Sequence, residues 1–220
     1  MRLSALAFGT AALAPLSKAA CIRDMADSCC AVLENAGLKV LRPGTEAYTA
    51  RDESYFSVSA QLSPYCIVQP TSAAEVALAV TTLKNSTCNW AVRGGGHMTW
   101  AGASNIDEGV TIDMGLIKQV EYSAETKVAS VGAGALWRDV YAALEPFGVT
   151  APGGRTSTVG VAGFLTGGGN NFFSSEVGLG CDNVVNFEVV DVVELWGGQV
   201  CYDPLCKDNS WPTHLRVGRL

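Results

Sequence analysis

The chain has 220 residues, of which 48% are hydrophobic and 16% charged, and its formal net charge is −6. That length holds one domain of ordinary size with a sizeable core, and the composition excludes a disordered chain. With an acidic balance and no basic stripe, nucleic acid is excluded as a partner.

Residues 1–20, MRLSALAFGTAALAPLSKAA, place one arginine before an apolar run from Leu3 to Leu16, followed by the small residues Ser17, Ala19 and Ala20. This is the three-part pattern of a secretory signal peptide. The run is shorter than the roughly 20 apolar residues that a bilayer span needs. No later stretch is long and apolar enough either, so the chain is expected to be secreted and not membrane-spanning. Eight cysteines agree with an oxidising compartment. None is spaced Cys-x-x-Cys, so no metal site is expected.

Residues 21–61 read as a polar N-terminal segment held by disulfides, with a short helix around Met25 to Asn35. Cys29 and Cys30 are expected to tie it to Cys66 and Cys88. A strand follows at Cys66 to Gln69, ended by Pro70. Ser72 and Glu75 form a capping box, which opens a helix with Val76, Val80 and Leu83 on one face. Asn85-Ser86-Thr87 is a glycosylation sequon that a secreted chain could use. WAVRGG reads as a short buried strand and VTIDM as a half-buried one, alternating Val110, Ile112 and Met114 against Thr111 and Asp113. KVASVGAG is a further strand. ALWRDVYAALEPFG is a helix with Leu136, Val140 and Leu144 on one face and Gly148 as its stop. Residues 149–169 read as a glycine-rich loop, and DNVVNFEVVDVV as a last strand. The order gives an α+β fold of two small layers.

Glycine is concentrated between residues 94 and 169. Runs such as Arg93-Gly94-Gly95-Gly96-His97 and Pro152-Gly153-Gly154 free successive backbone N–H groups to form a concave anion site. Two such segments suit a ligand with a diphosphate and a long body, and a dinucleotide fits. Neither usual nucleotide loop is present. Gly132-Ala133-Gly134 begins a G-x-G, but Trp137 stands at the sixth position, and no Gly-Lys-Ser/Thr occurs. His97 is one of two histidines. By residue type alone it is a satisfied core histidine, a general base or a nucleophile joined to a cofactor.

Residues 66 to about 190 resemble the PCMH-type FAD-binding domain of the vanillyl-alcohol-oxidase superfamily. Within it they resemble fungal berberine-bridge-enzyme-like oxidoreductases. The matching stretches are CIVQPTSAAEVALAV, WAVRGGGHMTWAGASN, GVTIDMG, VGAGALWRDVYAAL, VTAPGGRTSTVGVAGFLTGGG and CDNVVNFEVV. The resemblance implies a partial PCMH-type domain over residues 62–195, made of two small α/β subdomains. It implies FAD joined at the 8α-methyl to His97. Arg93, Gly94, Gly95, Gly96, Met98, Pro152, Gly153, Gly154, Val159, Gly160, Gly163 and Gly167 are then the other cofactor-binding candidates. Some family members carry a second link through a cysteine; here Thr156-Ser157-Thr158-Val159-Gly160 offers none.

The implied function is FAD-dependent oxidation of an alcohol, a sugar or a secondary metabolite, with a small molecule as partner. Residues 196–220 match nothing in the family and are expected to be a tail that supplies neither a substrate domain nor a catalytic base. The alternative reading is a secreted, non-catalytic remnant that binds FAD weakly or not at all.

Overall fold

The computed structural model describes residues 18–86, 88–190, 200–201, 213–216 and 218–219. Residues 1–17 of the expected signal peptide, Thr87 of the sequon and most of the tail lie outside the described residues.

The first half of the chain forms α1 (Lys18–Asn35), β1 (Val40–Leu41), α2 (Glu46–Asp52), β2 (Cys66–Val68), α3 (Ala73–Asn85), β3 (Trp90–Arg93) and β4 (Val110–Asp113). Their sheet runs β1-β2-β4-β3. β4 pairs in parallel with β2 and β3, while β1 adds to β2 antiparallel. The Ser72 hydroxyl accepts from the Glu75 N–H, and the Glu75 carboxylate accepts from the Thr71 N–H at 2.7 Å, so α3 starts where the capping residues place it. Val76, Val80 and Leu83 are buried on its inner face. They join Leu33 of α1 and Val68, Val110 and Ile112 of the sheet in one core. Each such side chain, fully buried, contributes about 1.5–3 kcal/mol of transfer free energy. Disulfides Cys29–Cys88 and Cys30–Cys66 fasten α1 to this layer; ties from the 29–30 pair to Cys66 and Cys88 were expected, and the structure supplies which joins which.

The second half holds β5 (Val120–Ser123), β6 (Val128–Val131), α4 (Trp137–Leu144), β7 (Val149–Thr150), α5 (Val161–Thr166), α6 (Ser174–Val177), β8 (Val184–Phe187), β9 (Val200–Cys201), β10 (Thr213–Arg216) and β11 (Gly218–Arg219). Its main sheet runs β5-β6-β10-β8-β9, all antiparallel. Trp137, Val140 and Leu144 of α4 and Val161 and Leu165 of α5 are buried against it. Gly148, at φ 64°, ends the α4 region in the left-handed conformation that glycine tolerates.

Four readings change. VTIDM is not half-buried: Val110 to Asp113 are all buried, because β4 is an inner strand of a covered parallel sheet. Its polar groups are paired instead of solvated, Thr111 donating to Asn105 Oδ1 at 2.7 Å. WAVR is an edge strand, and Val92 is exposed. The loop 149–169 contains α5, whose Val161 and Leu165, four residues apart, reach the core. Leu136 is not on the buried face of α4: it is the N-cap and only half-buried, and Trp137 takes its place. In the described part of the tail, β10 lies between β6 and β8, and β11 pairs with β7.

Candidate functional site

Ligands of parallel α/β sheets sit beyond the carboxyl ends of the strands. Here β3 and β4 run in parallel, and their ends lead into Gly94-Gly95-Gly96-His97 and Met114-Gly115. The second glycine segment comes up against the first. A Cβ built on Gly95 would lie 2.5 Å from Gly160 Cα, and one on Gly160 would lie 2.4 Å from the Gly95 nitrogen. The two backbones touch, and only glycine allows that approach.

Two cavities open on either side of this contact. The first, about 410 Å³, is lined by Arg51, Phe56, Lys118, Leu136, Arg138 and Thr158 among others. The second, about 560 Å³, is lined by Met98, Ser104, Val159, Gly160, Gly163 and Phe164 among others. Gly94, Gly95 and His97 line both. Each volume is in the range of small-molecule sites.

His97 stands on the shared wall. Its Nε2 is buried and has no hydrogen-bond partner, and the hydroxyl of Ser104 in the second cavity is in the same condition. Buried polar atoms without partners are uncommon, and ones that border a cavity fit a ligand. The imidazole is stacked on the Phe56 ring, with centroids 3.9 Å apart and planes 12° from parallel.

Charge underlies the first cavity. Arg51 donates to both oxygens of Asp113, at 2.6 and 2.5 Å, and Gln69 adds a third donor at 2.7 Å. Burial pushes the Asp113 carboxyl up, but the hydrogen bonds and charge of Arg51 more than offset this, and the group sits below its ordinary value. Arg93 is buried with its guanidinium 3.6 Å above the Tyr55 ring, and it donates to the Arg51 carbonyl and to Ser54 Oγ.

The sequence-based candidates divide accordingly. Gly94, Gly95, Gly96, His97, Met98, Val159, Gly160, Gly163 and Gly167 are brought together around the cavities. Arg93 lies beneath the loop and lines neither. Pro152, Gly153 and Gly154 are buried elsewhere: a Cβ on Gly153 would lie 2.1 Å from the Trp137 ring, and one on Gly154 2.5 Å from it. These glycines make room for an indole. Arg51, Phe56, Lys118, Arg138, Ser104 and Phe164 escaped sequence reasoning, since no local periodicity or spacing marks them. Among the described residues no cluster of three or more His, Cys, Asp or Glu could hold a metal ion.

A two-layer α+β domain with bare backbone at the ends of parallel strands, and a histidine between two cavities, is a dinucleotide-cofactor-binding domain. Residues 64–193 match the FAD binding domain family, and the chain belongs to that family. It is 43% identical over 169 residues to the FAD-dependent monooxygenase sdcF of Emericella nidulans, covering 76% of this chain and 35% of that protein. To the FAD-dependent monooxygenase drtC of Aspergillus calidoustus it is 43% identical over 171 residues, covering 76% and 33%. Among solved structures, Physcomitrella patens BBE-like 1 superposes with a TM-score of 0.73 at 29% identity, over 88% of this chain and 44% of that one. The chain thus spans about a third of the length of these curated relatives. The PCMH-type α+β fold is the one expected, and FAD is the cofactor of this domain. The residues present fit it, since the cleft offers glycine backbone, unpartnered buried donors and acceptors, and room on both sides of His97.

Proposed function

We propose that this chain is the FAD-binding portion of a secreted oxidoreductase that oxidises a small organic molecule, with the flavin held covalently by His97. The observation that carries the reading is the buried, unpartnered Nε2 of His97 on the wall shared by both cavities. Bound FAD supplies the two-electron redox chemistry, and the protein supplies position and electrostatics.

The Gly94 to Gly96 backbone closes on the anionic part of the cofactor, where its amide groups act without side chains in the way. Arg51 and Arg138, paired with Asp113 and Asp139, and Lys118 place guanidinium and ammonium donors on the first cavity for a diphosphate. Met98, Val159 and Phe164 give the second cavity an apolar wall suited to a flat ring. His97 joins the two, and one of its ring nitrogens bonds to the carbon of the 8-methyl group. The net change would be loss of one hydrogen from the imidazole N–H and one from the methyl, together two protons and two electrons, which dioxygen would accept to give hydrogen peroxide. The two disulfides support secretion. The two relatives named as FAD-dependent monooxygenases support an oxidative reaction that uses FAD.

The test is acid precipitation of the protein after incubation with FAD. Wild type should carry yellow flavin into the pellet, and His97→Ala should release all of it to the supernatant. Flavin retained in the His97→Ala pellet would refute the attachment.

A further inference from the structure

We infer that Phe56, which lies before the stretch matched by the FAD binding domain family, is a positioning residue that sets the orientation of His97 for its bond to the flavin; this rests on the attachment proposed above. Phe56 is 60% exposed, so it is not held there by core burial. It lines the first cavity and stacks nearly parallel on the imidazole, with centroids 3.9 Å apart. An imidazole with a free χ2 would sweep its nitrogens through many directions. A ring laid flat against one face removes most of them and leaves the edges free to react.

The segment that carries Phe56 is laced to the glycine loop. The Phe56 N–H donates to the Gly96 carbonyl at 3.1 Å. The Tyr55 hydroxyl donates to the Ser104 carbonyl at 2.7 Å, and Ser59 Oγ donates to the Thr99 carbonyl at 2.5 Å. From below, Arg93 donates to Arg51 and Ser54 on the same segment, at 2.7 and 2.9 Å. The stacked ring therefore has a fixed base. Among the described residues no other aromatic ring stacks on His97, and its buried Nε2 has no hydrogen bond to orient it in the ring's place.

The experiment uses the full chain with Phe56→Leu and Phe56→Tyr, each followed in two ways. The first is the rate at which added FAD becomes acid-stable, with total bound flavin measured on the native protein. Because Phe56 lines the first cavity, Phe56→Leu is loaded at saturating FAD and its rate is taken per flavin bound to the native protein. It should form acid-stable flavin about five- to tenfold more slowly, the range one aromatic pair supplies. Phe56→Tyr should restore the rate. The second is the NMR shift of the His97 ring protons before FAD is added. With only two histidines in the chain, a His214→Gln variant assigns the signals. Those of His97 should lie upfield in wild type and Phe56→Tyr, under the stacked ring, and move downfield in Phe56→Leu. A wild-type rate of acid-stable flavin formation in Phe56→Leu, or unchanged ring-proton shifts, would overturn the inference. If wild type itself forms no acid-stable flavin, the attachment proposal fails, and the role of Phe56 in orienting the imidazole is decided by the shifts alone.

Discussion

Residues 94–96 and 152–154 read alike in sequence, each a short glycine run beside a strand, yet their glycines answer to different neighbours. In the first run Gly94 borders open space, where a Cβ would meet only Ala133 O at 3.4 Å and the Ala162 side chain at 3.8 Å, while Gly95 is pressed on the Gly160 backbone and Gly96 on Arg93 and Tyr55. The second is pressed on the buried face of Trp137. The first run is bare where backbone meets backbone beside the cavities, and the second where an indole packs. Glycine records a close approach in either case, and only the fold says of what.

The comparison can be broken most forcefully at Gly153. Gly153→Val would drive a branched side chain into Trp137, and overpacking of this severity should cost about 3 kcal/mol or more. Chemical denaturation should show this loss without any FAD present. A variant as stable as wild type that nevertheless loses FAD would mean that the second run is a ligand contact after all.

Acid should separate the two segments next. The carboxyl of Asp113, which anchors Arg51 beneath the first run, has a pKa below its ordinary value. A depressed folded-state value means that stability is present above the unfolded value of about 3.9 and is lost as pH falls through the lower folded one. FAD release should therefore begin below about pH 4. Asp113→Asn, which leaves Arg51 with a neutral partner at a buried site, should cost about 3 kcal/mol and flatten that acid dependence. Denaturation curves at several pH values would test both; an unaltered acid profile in Asp113→Asn would remove the ion pair from the account.

Gly94→Ala should cost less than about 1 kcal/mol of stability, since no atom is closer than an ordinary contact. It should nonetheless weaken FAD binding at least tenfold, read by fluorescence titration. Gly163→Ala is the mildest case. Nothing lies within 4 Å of its Cβ, and it sits in α5, so helix propensity should raise stability by about 0.5–1 kcal/mol. Its methyl faces the second cavity, and a few-fold loss of FAD affinity with a raised melting temperature is the expected pair of results.

Legibility followed the local character of each signal. α3 could be read from its cap and apolar spacing, and α4 from Val140, Leu144 and its glycine stop, because those rules act within a few residues; Leu136 was misplaced because a one-residue shift at a helix start leaves the spacing of the rest unchanged. That the 29–30 pair is tied to Cys66 and Cys88 could be read, but which cysteine takes which could not, because sequence does not fix connectivity. β4 was misjudged because alternation distinguishes polar from apolar and not exposed from paired: Thr111 and Asp113 are buried with partners from Asn105 and Arg51. α5 was missed because six residues with an internal glycine carry too little periodicity. Of the site, His97 and its glycines were visible through a motif. Phe56 and Arg51 were not, since they arrive by tertiary folding from a segment without one.

Cys29 and Cys30 are neighbours on one helix, and successive residues there point about 100° apart. Each is joined to a different partner, Cys88 and Cys66. Exchanging the partners would turn α1 about its own axis by a similar angle and swing Leu33 away from the core it occupies. The pair thus works as a rotational key, admitting one setting of the helix against the sheet and rejecting its nearest misassembled isomer.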